Sequence, residues 1–379
     1  MKIKVLEGKN PFAYGEVVSG RYFYDRTEVC ADIVNSVKSR LNLVILGSRR
    51  YGKTSLVHAA LDVLRNQGYT CVYFDLMRVA SLEDFANRYA AVLYRESGAF
   101  AKGVHALSSL FRSLKPVIGM ASDGSPEIAL RAAPRQMTPE NFEEVLDLPE
   151  KLAGKRKLVV VLDEFQELCA QSSRVNVEKV MRSVIQFHKR VQYVFLGSKT
   201  HILKRMFMSR ARPFYNSVKV ITVAKPPLDE GMDFLRNGFR SGRISLSENV
   251  AAYLLERSDN IPYYTQAIAS EIFQTVALRS DRKVAREDVD RAVWSMLNKK
   301  RDYYEVLFSS FSVSQRNLMK AIASEPTGRF TETYCREHAL GLNSSANTAL
   351  KQLVDGGHVD TVNRIHHVSD PIFRLWMCE

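Results

Sequence analysis

From residue 43 onward, short apolar runs alternate with longer stretches in which apolar residues recur every three or four positions. The runs "LVIL" (43–46), "CVYFDL" (71–76), "KLVVVLDEF" (157–165), "QYVFLGS" (192–198) and "VKVITV" (218–223) are those of buried strands. Helical spacing predicts helices over 28–40, 54–66, 82–97, 139–153, 176–190 and 201–209. In the second of these, Leu56, Val57, Ala60, Leu61 and Leu64 share one face. Strands separated by helices imply an α/β fold whose parallel sheet is covered on both faces. Residues 115–134 interrupt the alternation with two short strands around Asp123-Gly124, a β-hairpin insertion.

After residue 224 the strand signals stop. Residues 228–311 read as several helices. Helices over 314–324, 331–338 and 344–355 then precede "GGHVDTVNRIHHVSD", which alternates like a short ribbon. Three helices and a ribbon predict a winged helix-turn-helix. In its third helix Asn343 is the expected N-cap and Gly356–Gly357 the stop. The expected domains are thus an α/β domain over 1–225, a helical domain over 226–311 and a winged helix over 312–379.

Composition adds boundaries. The chain has 379 residues, 46% hydrophobic and 25% charged, as in a soluble globular protein large enough for two or three domains. It lacks an apolar run of ~18 residues, and its first residues lack the apolar stretch of a signal peptide. Five scattered cysteines form no metal or disulfide framework, which suggests reduced thiols and a cytoplasmic protein. The net charge of +13 fits either an anionic partner, nucleic acid or nucleotide, or a solubilising surface.

The first strand and the second helix are joined by "GSRRYGKTS": Gly47, Ser48, Arg49, Arg50, Tyr51, Gly52, Lys53, Thr54 and Ser55. This satisfies G-x-x-x-x-G-K-[ST]. Glycines let the backbone turn its N–H groups inward, the lysine meets the β- and γ-phosphates, and the hydroxyl of Thr54 holds Mg²⁺. The following helix adds its positive end. By chance the pattern occurs in about one chain in a hundred of this length, and chance does not place it between a buried strand and an amphipathic helix.

Two acids end the strand "VVVLDE". After a strand they commonly begin only a polar loop. Downstream of a phosphate loop they have a role: Asp163 for Mg²⁺ and Glu164 as general base toward a water attacking the γ-phosphate. Ser198, closing "FLGS", is placed to polarise the γ-phosphate or that water. Arg210 and Arg212 in "SRARPFYNS" are placed either as solvated helix-end cations or, Arg212 especially, as an arginine finger in this chain or a neighbour.

Together "NPFAYGEVVSGRYFYDRTEV", "GSRRYGKTS", "VVVLDEFQEL", "RARPFYN", "NIPYYTQ" and "SDPIFRLWM" resemble the archaeal-type ATPases of the STAND branch of AAA+-related P-loop NTPases. These are similar in architecture to the origin-recognition initiators. The resemblance covers nearly the whole chain. It implies a nucleotide-binding domain, a helical lid and a C-terminal winged helix, with ATP hydrolysed slowly and used as a conformational switch. It also implies that Phe23 and Tyr24 of "FYDR" lie by the adenine and that Pro262 of the lid covers the base. Two positions depart from the family: Asn260 stands where Gly-x-Pro is frequent, and Ser198 where Asn or Thr is.

On the winged helix, Ser344, Thr348, Lys351 and Gln352 occupy the polar face of the third helix, and Arg364, His366 and His367 the ribbon. Small polar groups and one cation suit a DNA groove, yet many winged helices dock on proteins instead. The final "SDPIFRLWM" reads as an Asp-capped helix whose Phe373, Leu375 and Trp376 enter the core. Two functions follow. One is a Mg²⁺-dependent ATPase that couples ATP or ADP to DNA. The alternative is a nucleotide-gated switch for a protein partner or self-association, with little turnover.

Overall fold

The computed structural model describes residues 10–15, 26–97, 114–120, 126–132, 137–170 and 175–378. They fall into two compact units. One comprises Thr27–Gly47 and Leu56–Val223; the other comprises Met1–Arg26, Ser48–Ser55 and Ala224–Glu379.

In the first unit, strands β1 (Leu43–Leu46), β2 (Thr70–Asp75), β5 (Leu158–Asp163), β6 (Val191–Gly197) and β7 (Lys219–Thr222) form one sheet in the order β2-β5-β6-β1-β7. All pairs are parallel, with registers such as Leu43↔Val194, Leu43↔Lys219 and Thr70↔Leu158. The apolar runs are continuous because both faces are covered. Val44, Leu46, Val72, Phe74, Val160 and Leu162 face a core that includes α3 (Leu82–Glu96), α4 (Pro139–Ala153) and α7 (Thr200–Met208). On the opposite face, helix α2 (Lys53–Asn66) meets β2, with the His58 ring 4.5 Å from Tyr73. Helix α1 (Thr27–Lys38) buries Ile33, Val34 and Val37.

Local signals set the helix starts. Ser81 caps α3 by accepting from the Asp84 N–H, and Thr138 forms a capping box with Asn141 ahead of Pro139. A short helix, α5 (Phe165–Ala170), follows β5, and α6 spans only Val177–Ile185, shorter than the 176–190 expected. The chain turns after Ile185 to enter β6, and this leaves Phe187 73% exposed. The hairpin insertion is present as β3 (Leu114–Met120) antiparallel to β4 (Pro126–Ala132), in register Ile118↔Ile128. Its Asp123-Gly124 turn lies outside the described residues.

The second unit is helical. It contains α8 (Leu228–Ser241), α9 (Glu248–Arg257), α10 (Pro262–Val276) and α11 (Arg286–Ser310). Phe12, in the aromatic N-terminal segment, is buried among them, 4.8 Å from Phe239. Gly238 permits this approach, because a Cβ there would sit 2.4 Å from the Phe12 ring.

The winged helix follows as α12 (Val313–Ser324), α13 (Glu332–Glu337), α14 (Asn343–Asp355), β8 (Val359–Val362) and β9 (Ile365–Val368), closing with α15 (Pro371–Met377). Ala346, Ala349 and Leu353 form the buried stripe of α14, while Leu350 and Val354 are only partly covered. Asn343 is the first helical residue rather than the N-cap. Leu342 occupies the cap in an extended conformation, and the Asn343 side chain instead accepts from Asn347. Asn363 and Arg364, at φ of 51° and 66°, make the two-residue turn between β8 and β9, where right-handed ribbon twist favours left-handed backbone. Asp370 caps α15 by accepting from the Ile372 and Phe373 N–H groups. Phe373 and Trp376 pack on Tyr304 and Phe308 of α11, as the sequence implied for the last helix.

Candidate nucleotide site

The phosphate loop leaves β1 at Gly47 and enters α2 at Lys53. Arg50 and Gly52 have φ of 67° and 79°, and Tyr51 between them does not share that hand. Such alternation turns successive N–H groups toward one concavity, the geometry of an anion nest. Glycine takes this conformation freely; Arg50 pays some backbone strain. The Lys53 ammonium is folded into the loop and donates to the Ser48 carbonyl at 2.9 Å. Ser48, Tyr51, Lys53 and Ser55 are buried, Gly52 and Thr54 half-buried, and Arg49 and Arg50 exposed. A nest, an enclosed ammonium and the start of a 14-residue helix together fit a phosphate chain.

Arg26 braces this loop. One guanidinium nitrogen donates to the Tyr51 carbonyl at 2.8 Å, the other to the Ala224 carbonyl at 3.0 Å. Its neighbours in "FYDR", Phe23 and Tyr24, lie outside the described residues. Arg50 points away from the nest. It pairs with Asp370 at 3.0 Å and stands 4.9 Å from the ring centres of both Tyr263 and Tyr264. Pro262 is the buried first residue of α10. Asn260, where the family pattern has glycine, sits at φ 49° and donates to the Pro226 carbonyl at 2.8 Å. Asparagine tolerates this backbone better than other side chains, so the departure keeps the turn.

The acidic cluster lies at the C-terminal ends of β5 and β6, adjacent parallel strands. Asp163 accepts from the Tyr73 hydroxyl and, through its other oxygen, from the Glu164 N–H at 2.8 Å. Glu164 itself has φ of 52°, costly for a residue with a Cβ, and its carboxylate is held from several sides. The Ser198 N–H and hydroxyl both donate to one Glu164 oxygen at 3.0 Å, and the Gln166 amide donates to the same oxygen. Gln166 is buried against Gly197, where a Cβ would come 2.1 Å from its side-chain oxygen. A fixed carboxylate at a strand end can orient a water and accept its proton.

Arg210 is exposed. Arg212 forms a two-pronged pair with Glu178 of α6, whose side chain is 6% exposed. On the winged helix, Ser344, Thr348 and Gln352 line a groove of about 330 Å³ with Ser312, Ser314 and Ser345. Lys351 and Arg364 are exposed and do not line it. His366 and His367 are half-buried, and burial lowers the pKa of each.

Sequence reasoning did not single out Gln166, Gly197 and Tyr73, nor the wing carboxylates Asp360 and Asp370. "DEFQE" carried a signal for Gln166, a polar residue amid apolar neighbours just after the acids. Nothing local distinguished Asp360.

Residues 302–379 match a family model described as a probable winged helix domain. A search of curated protein sequences finds no match. Among solved structures, the chain is similar to the Walker-type ATPase of Pyrococcus abyssi, with a TM-score of 0.65 and 18% identity over 94% of this chain and 97% of that one. It is also similar to the ORC2 protein of Aeropyrum pernix in ADPNP–ADP complexes, with a TM-score of 0.54 and 12% identity over 93% and 94% of the two chains. The fold is that of an AAA+-related P-loop ATPase with a C-terminal winged helix.

Proposed function

We propose that this chain is an ATP-binding, Mg²⁺-dependent ATPase of the STAND type, acting in the cytoplasm, whose nucleotide state governs DNA binding through the winged helix. The observation that carries the reading is the phosphate nest with the Lys53 ammonium folded inside it. The similar structures named as a Walker-type ATPase and as nucleotide complexes support it.

In this reading Gly47–Ser55 cradle the phosphates, and Lys53 meets the β- and γ-phosphates. Thr54 and Asp163 hold Mg²⁺, which when bound offsets phosphate charge. Glu164 accepts a proton from the attacking water, with Ser198 fixing its carboxylate. Phe23, Tyr24 and Pro262 flank the base, and Arg212 acts on the γ-phosphate in its own chain or a neighbour's. Turnover is slow, because the nucleotide serves as a switch. Ser344, Thr348, Lys351, Gln352 and Arg364 form the DNA face.

A second reading is a nucleotide-gated protein switch without DNA. The exposed face of α14 favours it, with Lys351 as its cation and Leu342, 76% exposed, at its start. Titration of the protein with duplex DNA at two salt concentrations, with and without ATP and Mg²⁺, separates the two. Salt-sensitive binding that changes with ATP supports the first; absence of binding at low salt with ATP present leaves the second.

A further inference from the structure

The wing and the phosphate loop belong to the same compact unit, and they meet. Tyr51 of the loop and Asp360 of β8 line one cavity of about 110 Å³, together with Lys225, Asp259, His367 and Ser369. The Asp360 carboxyl lies within interaction range of the Ser48 hydroxyl and the Lys53 ammonium. Burial raises its pKa, and those two groups act against the rise. At the other end of the wing, Asp370 accepts from Arg50 at 3.0 Å and faces the Tyr304 hydroxyl at 3.3 Å. Lys53, the cation a phosphate must reach, is 8% exposed. Two carboxylates of the winged helix therefore address two cations of the loop.

We propose that Asp360 and Asp370 form an anionic latch that seats the winged helix on the phosphate loop when no nucleotide is bound, and that the phosphates of a nucleoside triphosphate open it by competing for Ser48, Arg50 and Lys53. The proposal rests on the nucleotide reading of the loop. A triphosphate carries more negative charge than two carboxylates and fits the nest as well as the side chains, so it binds the open arrangement better. A ligand shifts such an equilibrium only through that difference. Arg50 is 38% exposed and Asp370 21%, so their pair contributes a few-fold on its own. With Asp360 added, a latch closed about nine-tenths of the time weakens apparent nucleotide affinity roughly tenfold. Opening also frees α14, β8 and β9 to meet a partner.

The test compares the parent with Asp360→Asn/Asp370→Asn. Asparagine at 370 keeps the helix cap, since Asn and Asp cap alike. A fluorescent, non-hydrolysable ATP analogue measures affinity, and hydrogen exchange over residues 359–377 measures seating of the wing. The expected result is roughly tenfold tighter binding by the variant. Exchange at 359–377 should rise in the parent on adding analogue and be already high in the variant without it. Unchanged affinity in the variant, or analogue that slows exchange across 359–377 in the parent, overturns the latch while the nucleotide reading stands. Failure of both proteins to bind analogue overturns the nucleotide reading and the latch with it. The exchange measurement on the parent decides the matter even if the variant folds poorly.

Discussion

Ser198 gives both its backbone N–H and its hydroxyl to a single oxygen of Glu164, each at 3.0 Å. The second residue closes β6 and the first follows β5, so the parallel pairing of these strands makes the contact. It holds a carboxylate whose own backbone is in an unfavourable conformation. Such restraint suits a group that must orient water rather than wander.

Glu164→Gln keeps the size and the hydrogen bonds but cannot take a proton. ATP binding should persist while hydrolysis falls at least ~100-fold. Ser198→Ala removes a hydroxyl donated to a charged group, a loss of about tenfold or more in turnover with binding retained. Single-turnover phosphate release, measured beside analogue binding, checks both. Unchanged release in Glu164→Gln would mean that another group activates the water.

Gly197→Ala tests the packing beneath that contact. The new methyl would meet the Gln166 oxygen at 2.1 Å and Leu203 at 2.8 Å. Overpacking a filled core costs about 1–3 kcal/mol. Displacing Gln166 should also loosen Glu164. Thermal unfolding should show the loss, and hydrolysis should drop while analogue affinity holds. Parent-like stability and turnover would show that Gln166 moves without consequence.

Arg212 is engaged with a buried glutamate inside its own chain. Arg212→Ala strands Glu178 and should destabilise by about 1–2 kcal/mol, less than a fully buried pair because the guanidinium is 39% exposed. Adding Glu178→Gln should restore most of that. If Arg212 also serves a neighbour's nucleotide, mixing Arg212→Ala with Lys53→Ala should regain hydrolysis, and activity per protomer should climb with concentration. A stability loss with no complementation would confine Arg212 to its own chain.

The sheet was legible because strands buried on both faces must be continuously apolar, as 43–46 and 158–163 are. The end of α6 was not, since Phe187 keeps the helical period yet lies beyond the turn into β6. Gly47–Ser55 could be read as a phosphate loop because their chemistry is local. The Glu164–Ser198 bond needed strand order, which spacing along the chain does not fix. The pairing of Arg50 with Asp370 joins residues 320 positions apart, and no periodicity connects them.

DNA binding through the proposed face should be mainly phosphate-driven. Lys351→Glu with Arg364→Glu should weaken it across sequences and flatten the salt slope by about two units, one for each lost phosphate contact. Fluorescence anisotropy on unrelated duplexes over a salt series checks this. A parent-like slope would place the contacts elsewhere.

Everything above depends on whether the loop at 47–55 takes a nucleotide through Lys53, and equilibrium titration with a fluorescent ATP analogue in Mg²⁺ answers that directly. Parent protein should bind saturably, and Lys53→Ala should bind roughly 10- to 100-fold more weakly, the worth of a hydrogen bond to a charged group, with its unfolding temperature little changed. Equal binding by a folded Lys53→Ala protein would contradict the account.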